Sequence, residues 1–224
     1  MIIGFTGLKG AGKDTAAEYL VKHHGFVRYA FADEVYAQVA QAFNVPDAAL
    51  RSREWKEVPH PALALKHCSD DAFVTAVNEL SAYVVTDADM NAPRTSTFTV
   101  QRWATEYRRK QLGANYWASI VAAKLLHLPF DTKVVLSDVR EDHEVGTLMW
   151  FANRCSTDRG STSKPLPYGI AQIVSPATHH TGHSSDNGLS LRYIDKTINN
   201  KPGDFAGLYQ QVEEFLQEIK CKTP

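Results

Sequence analysis

The residues Gly7-Leu8-Lys9-Gly10-Ala11-Gly12-Lys13-Asp14-Thr15 place two glycines five positions apart with a lysine directly after the second. This is the Walker A spacing, and its chemistry is the binding of phosphate. Glycines let backbone N–H groups turn inward as an anion-binding nest, and a helix that follows adds its positive N-terminal end. Lys13 would reach the β- and γ-phosphates of ATP, with Gly7, Lys9, Gly10, Ala11, Gly12, Asp14 and Thr15 as its companions in the nucleotide site. One position departs from the usual motif: Asp14 stands where Ser or Thr ordinarily holds Mg²⁺, and Thr15 follows one place late. A carboxylate is a good hard-oxygen ligand, so Asp14 and Thr15 are candidate metal ligands. The other reading of Asp14 is a favourable charge in a helix first turn.

A second acid for the metal is offered by Asp138, which closes the apolar run 133–138 as a Walker B carboxylate does. It could instead contact the acceptor or cap the next helix. Arg140 follows the same strand end, where a guanidinium neutralises charge developing on a transferred phosphoryl group. Arg109 is a further phosphate ligand candidate, although adjacent Arg108 and Arg109 also fit the solvated face of a helix. His179, His180 and His183 lack the carboxylate or cysteine that would complete a convincing metal set. Trp103 and Trp117 suit a core.

These residues need a scaffold, and the hydrophobic pattern supplies one. Residues 1–6 form a short apolar run ended by Gly7, as in a buried parallel strand. Residues from 13 to Gly25 carry apolar positions at helical spacing. A second strand is expected over 26–31, then a helix capped by Asp33 and running to Pro46. Residues 47–98 are broken by Pro46, Pro59, Pro61 and Pro93 into short helical fragments and read as an insertion or acceptor-side segment. Helices are expected over 99–112 and 116–128, with Gly113 between them, and over 141–153. Residues 155–164 read as an exposed loop, 170–174 and 193–198 as strands, and 176–190 as a lid or loop. The final helix carries Phe205, Leu208, Val212, Phe215 and Ile219 on one face. Strands alternating with helices imply an α/β three-layer sandwich of the P-loop NTPase kind: a central parallel sheet, helices on both faces, and ligands beyond the strand C-termini.

The 224 residues suit one well-buried domain with room for a small lid. A net charge of −1 supplies no general attraction to a nucleic-acid backbone and argues against such a partner. Three widely spaced cysteines fit reduced thiols rather than a zinc site or disulfide framework. The apolar N-terminal run is too short for a signal peptide or membrane span, so a cytoplasmic protein with no membrane partner is expected. Whether it forms a homodimer is left open.

Among P-loop proteins a GTPase would carry Asn-Lys-x-Asp, whereas Asn200-Lys201-Pro202-Gly203-Asp204 has one residue too many. Motor and transporter ATPases need more chain, which leaves a small-molecule kinase. The strings Gly12-Lys13-Asp14-Thr15, Phe31-Ala32-Asp33, residues 101–109 with Tyr116-Trp117, Asp138-Val139-Arg140 with Glu144, His183 to Asp186, and Ile198-Asn199-Asn200 occur in one order. In these the chain resembles phage deoxynucleoside monophosphate kinases, relatives of the nucleoside monophosphate kinase fold. The resemblance implies that Ala32, Asp33, Tyr36, Gln101, Thr105, Arg109, Trp117, Asp138, Arg140 and Glu144 hold the acceptor. It also implies Mg-ATP as donor, a deoxynucleoside monophosphate as small-molecule partner and, for a viral chain, the host cytoplasm. Ala104 stands where the family commonly has Gly, Tyr36 where it often has Lys, and Asp186 where Glu is usual; none of these touches the phosphate loop. The alternatives are a P-loop kinase for a modified pyrimidine, as a nucleotide or in DNA, and a nucleotide-binding switch without catalysis.

Overall fold

The structure is a computed structural model that describes residues 1–80, 86–129, 131–157, 165–178 and 188–222. In chain order its elements are β1 (Ile2–Thr6), α1 (Lys13–His24), β2 (Val27–Tyr29), α2 (Phe31–Phe43), α3 (Asp47–Arg51), α4 (Arg53–Glu57), α5 (Asp71–Glu79), α6 (Asp87–Asn91) and α7 (Ser96–Gln101). After a π-helical stretch, Arg102–Arg109, come α8 (Lys110–Leu112), α9 (Tyr116–Leu126), β3 (Val134–Leu136), α10 (Asp142–Thr157), β4 (Tyr168–Val174), β5 (Lys196–Asn199) and α11 (Phe205–Cys221).

The strands form one parallel sheet in the order β2-β3-β1-β4-β5. Every residue of β1 is buried, as a continuous apolar run requires of a strand covered on both faces. Alternation of side chains then sorts the residues between the two faces. Ile3, Phe5, Val135, Ala171 and Ile173 share one cluster with Ala16, Ala17 and Leu20 of α1 and Leu208, Val212, Phe215 and Ile219 of α11. Gly4 faces the other way, where an added Cβ would lie 2.9 Å from Leu148 Cδ2, so α10 packs closely there. Helices therefore cover both faces, and the expected α/β sandwich is the architecture found.

The chain divides into two compact units. The first comprises Met1–Phe31 and Ala118–Pro224 and contains the sheet; the second is Ala32–Trp117. In the second, Val39, Phe43, Leu50, Leu63, Phe73, Trp103 and Tyr107 are buried. The Phe73 ring lies 4.8 Å from that of Trp103 and 6.2 Å from that of Phe43. The expected insertion 47–98 falls inside this unit and does contain short helices.

Several boundaries differ from expectation for local reasons. α2 starts at Phe31 rather than after an Asp33 cap, because the Phe31 N–H is met by Asp138 Oδ1 at 2.8 Å. β5 begins at Lys196 rather than Tyr193, since Leu191–Tyr193 form a 3₁₀ turn and Asp195 exchanges bonds with Ile170 just before the strand. α10 runs on to Thr157. Most of the loop expected over 155–164 and of the lid expected over 176–190 lies outside the described residues, as do His179, His180 and the string from His183 to Asp186. No helix among the described residues is long and apolar enough to cross a membrane.

Candidate functional site

The loop from Gly7 to Gly12 leaves β1 at the centre of the sheet and opens α1. Its path demands glycine at particular points. Gly7 adopts φ 132°, and a Cβ there would lie 2.2 Å from the Ile173 carbonyl oxygen. Gly12 adopts φ 105° and ψ 14°, in the left-handed region that glycine tolerates, and occupies the N-cap of α1. Ala11 is fully buried and its N–H donates to the Leu8 carbonyl at 3.1 Å. Lys13 is buried, and its Nζ donates to the carbonyls of Gly7 and Leu8 at 2.8 Å each. The ammonium is thus held over the loop that its own backbone forms, and Lys9 is exposed. Asp14, in the first turn of α1, accepts from Arg28 Nη2 of β2 at 3.1 Å. Thr15 is half-buried in the same turn.

Beside this loop stands the end of β3. The register pairs Gly4 with Leu136, and beyond it the Val139 N–H donates to Phe5 and the Ser137 N–H to Tyr29. Continuing that register sets Asp138 level with Thr6, the residue before Gly7. Asp138 is buried, and one of its oxygens serves the first N–H of α2. Of the alternatives open for Asp138, capping does occur, but on α2 rather than on the helix that follows it. Ser137 is fully buried, and its Oγ has no hydrogen-bond partner among the described residues. Sequence reasoning missed this hydroxyl; a serine ending an apolar strand run was the available signal.

Glu144 is also buried. Its Oε2 accepts from the backbone N–H groups of Arg140 at 2.8 Å and Glu141 at 3.2 Å. The carboxylate therefore ties the turn into α10 and fixes the backbone that carries the Arg140 side chain, in the manner of a capping residue reaching back.

Mg²⁺ takes oxygen ligands and is commonly held by one or two carboxylates together with substrate phosphates. Asp138, the Ser137 hydroxyl, which has no partner among the described residues, and the oxygens of Asp14 and Thr15 match that chemistry. Among the described residues no group of three or more His, Cys, Asp or Glu forms a protein-only metal cage.

At the ends of β4 and β5 a cleft of about 520 Å³ is lined by Val174, Ser175, Pro176, Asn199, Asn200 and Lys201. Its walls are tied to neighbours on both sides. Gln211 of α11 accepts from the Asn199 N–H and donates to the Asn199 carbonyl, each at 2.9 Å. Asn200 Nδ2 donates to the Ala11 carbonyl at 2.8 Å. Neither Asn200 nor Gln211 received a role from the sequence, where Asn200 figured only in family strings and in the failed GTPase element.

The remaining expected acceptor residues belong to the second unit. Asp33 accepts from Arg51 Nη1 at 3.0 Å, and Arg51 also grips Asp47 through two nitrogens. The guanidinium lies 4.3 Å from the Tyr36 ring centroid, with Lys56 Nζ at 5.7 Å. Where the resembled family often has Lys, this chain therefore has an aromatic ring attended by two cations. Ala32 is half-buried in the first turn of α2.

Gln101 ends α7, while Thr105 and Arg109 lie along the π-helical stretch, all three half-buried. Its other side is core: Trp103 and Tyr107 are buried, and Arg108 stacks over both rings while pairing with Asp70. Gln38 joins the group by accepting from Trp103 Nε1 and Arg108 Nε at 3.0 Å each. Burial, then its bond to Asp70, push the Tyr107 hydroxyl up to about 12, against the pull of Arg108. Burial likewise raises the Cys68 thiol to about 11. Trp117 is buried, with its indole N–H donating to the Ala104 carbonyl at 3.1 Å. It packs as a core residue.

No protein-family model matches the chain. Over 60 residues, 26% of this chain, it is 38% identical to a protein of Acanthamoeba polyphaga mimivirus named "Putative deoxynucleotide monophosphate kinase". The match spans 31% of that relative's length. Among solved structures, a Thermus thermophilus protein aligns over 97% of both chains with 13% identity and a TM-score of 0.42. A Janibacter sugar kinase aligns over 96% of this chain and 94% of its own at 12% identity and TM-score 0.37. A Sinorhizobium meliloti gluconokinase aligns over 99% and 97% at 11% identity and TM-score 0.34.

Proposed function

We propose that this chain is an ATP-dependent deoxynucleoside monophosphate kinase that moves the γ-phosphoryl group of Mg-ATP onto a deoxynucleoside monophosphate, yielding ADP and the diphosphate. The observation that carries the reading is the glycine loop with buried Lys13, set at the end of β1 beside buried Asp138 at the end of β3. Backbone amides, a lysine and a carboxylate at one sheet edge are the parts that phosphoryl transfer uses. The similarity over 60 residues to the mimivirus protein supports a nucleotide acceptor.

In this reading the loop amides and Lys13 bind the β- and γ-phosphates, and the donor base enters the cleft between Val174 and Lys201, whose volume is ordinary for a small-molecule site. Mg²⁺, held by Asp138 with oxygens from Ser137, Asp14 or Thr15, would shield phosphate charge and keep the groups in line. Arg140, on a backbone fixed by Glu144, offsets charge growing on the transferred group. An oxygen of the acceptor phosphate forms the new bond to the γ-phosphorus as the bond to the bridging oxygen of ADP breaks. That oxygen is already anionic, so no general base is needed.

On the acceptor side, Ala32, Asp33, Tyr36, Gln101, Thr105 and Arg109 are assigned to the nucleotide, with Trp117 supporting them from the core. The test is ADP release from Mg-ATP with each common deoxy- and ribonucleoside monophosphate. Turnover with at least one deoxynucleotide is expected. Turnover with a sugar acceptor alone, or tight ATP binding with no transfer to any nucleotide or oligonucleotide, would overturn the assignment.

A further inference from the structure

Asn200 belongs to two structures at once. Its backbone N–H donates to the Val174 carbonyl at 2.8 Å and fixes the residue at the edge of the sheet. Its side-chain Nδ2 donates to the Ala11 carbonyl at 2.8 Å, inside the glycine loop. A Cβ on Gly12 would fall 2.4 Å from that nitrogen, so the amide lies flush against the Gly12 backbone. The preceding residue is held too, because Gln211 binds both backbone groups of Asn199.

The geometry has a directional consequence. A trans peptide points its C=O and N–H in opposite directions, and the described chain contains no cis bond. Anchoring the Ala11 carbonyl toward Asn200 therefore turns the Gly12 N–H the opposite way. Glycine at this position would otherwise let the peptide unit rotate at low cost.

We infer that Asn200 is a positioning residue for the phosphate loop: its amide anchors the Ala11 carbonyl and so aims the Gly12 N–H at bound phosphate. The inference rests on the reading of residues 7–15 as a phosphate site and adds a residue that the glycine-lysine motif does not contain. Asn200 is also one of the residues that line the cleft.

The test uses the full chain and inorganic tripolyphosphate, which has no base to occupy the cleft. Affinity is read by calorimetry and the Gly12 amide by its ¹⁵N-resolved proton resonance, in wild type, Asn200→Ala and Asn200→Asp. Wild type should bind with a downfield shift of the Gly12 amide. Asn200→Ala should lose roughly tenfold in affinity, the scale of one hydrogen bond, and lose that shift while its melting temperature holds. Asn200→Asp keeps the size but not the donor, so the shift should vanish there as well; it carries the test if the alanine variant does not fold. A wild-type Gly12 shift and affinity in a folded variant lacking the donor would overturn the inference. If wild type itself ignores tripolyphosphate, the phosphate-site reading fails first and the inference falls with it.

Discussion

The two units of this chain hold their candidate functional groups by different means. In the first, position is set mainly by backbone: glycine conformations, carbonyls that receive Lys13, and strand ends locked in register. In the second, side chains hold side chains, as Arg51 does between Asp33, Asp47 and Tyr36, and Gln38 between Trp103 and Arg108. Phosphate is the same in every nucleotide, and a backbone nest reads it without side-chain variety. A site built from mutually supporting side chains can be retuned by substitution, which is the property an acceptor pocket needs.

The largest effect that would sharpen this contrast is expected from Lys13→Ala. Phosphoryl transfer should fall by about 10²–10³-fold or more, as when a charge-stabilising donor is removed, while circular dichroism and melting stay near wild type. Wild-type turnover in that variant would break the assignment of the first unit.

Next is Trp103→Ala. Removing a fully buried indole should destabilise the second unit by about 3–5 kcal/mol. Chemical denaturation would measure the loss, and tripolyphosphate binding by the first unit should persist. If both fell together, the backbone-held and side-chain-held regions would not be separable.

The smallest effect concerns alkaline pH. Tyr107 releases its proton near 10 in the unfolded chain and at about 12 when folded, so its stabilising contribution is complete below 10 and lost between those values. Melting temperatures across that range should fall more steeply for wild type than for Tyr107→Phe. Parallel curves would show that burial of the Tyr107 hydroxyl and its bond to Asp70 contribute nothing to this dependence.

Local pattern made much of the first unit legible. Continuous apolar runs marked β1, β3 and β4, and the glycine-lysine spacing marked the loop between β1 and α1. What escaped was non-local. The α2 start depends on Asp138, 107 residues away, rather than on Asp33. The job of Asn200 depends on a carbonyl 189 residues away. The π-helical stretch was visible only as a helix, because its apolar positions Trp103 and Tyr107 fit ordinary helical spacing. The packing of Trp117 was anticipated by residue type, although the family resemblance had placed it in the acceptor pocket.

The grip of Gln211 on Asn199 also bears on the border of the sheet. β5 is an outer strand of the sheet, and such a strand offers unpaired N–H and C=O groups to any extended chain that approaches. At Asn199 one glutamine side chain from α11 takes up both groups, as a neighbouring strand would. The border is closed at that point from within, and strand-to-strand self-association loses one of its footholds.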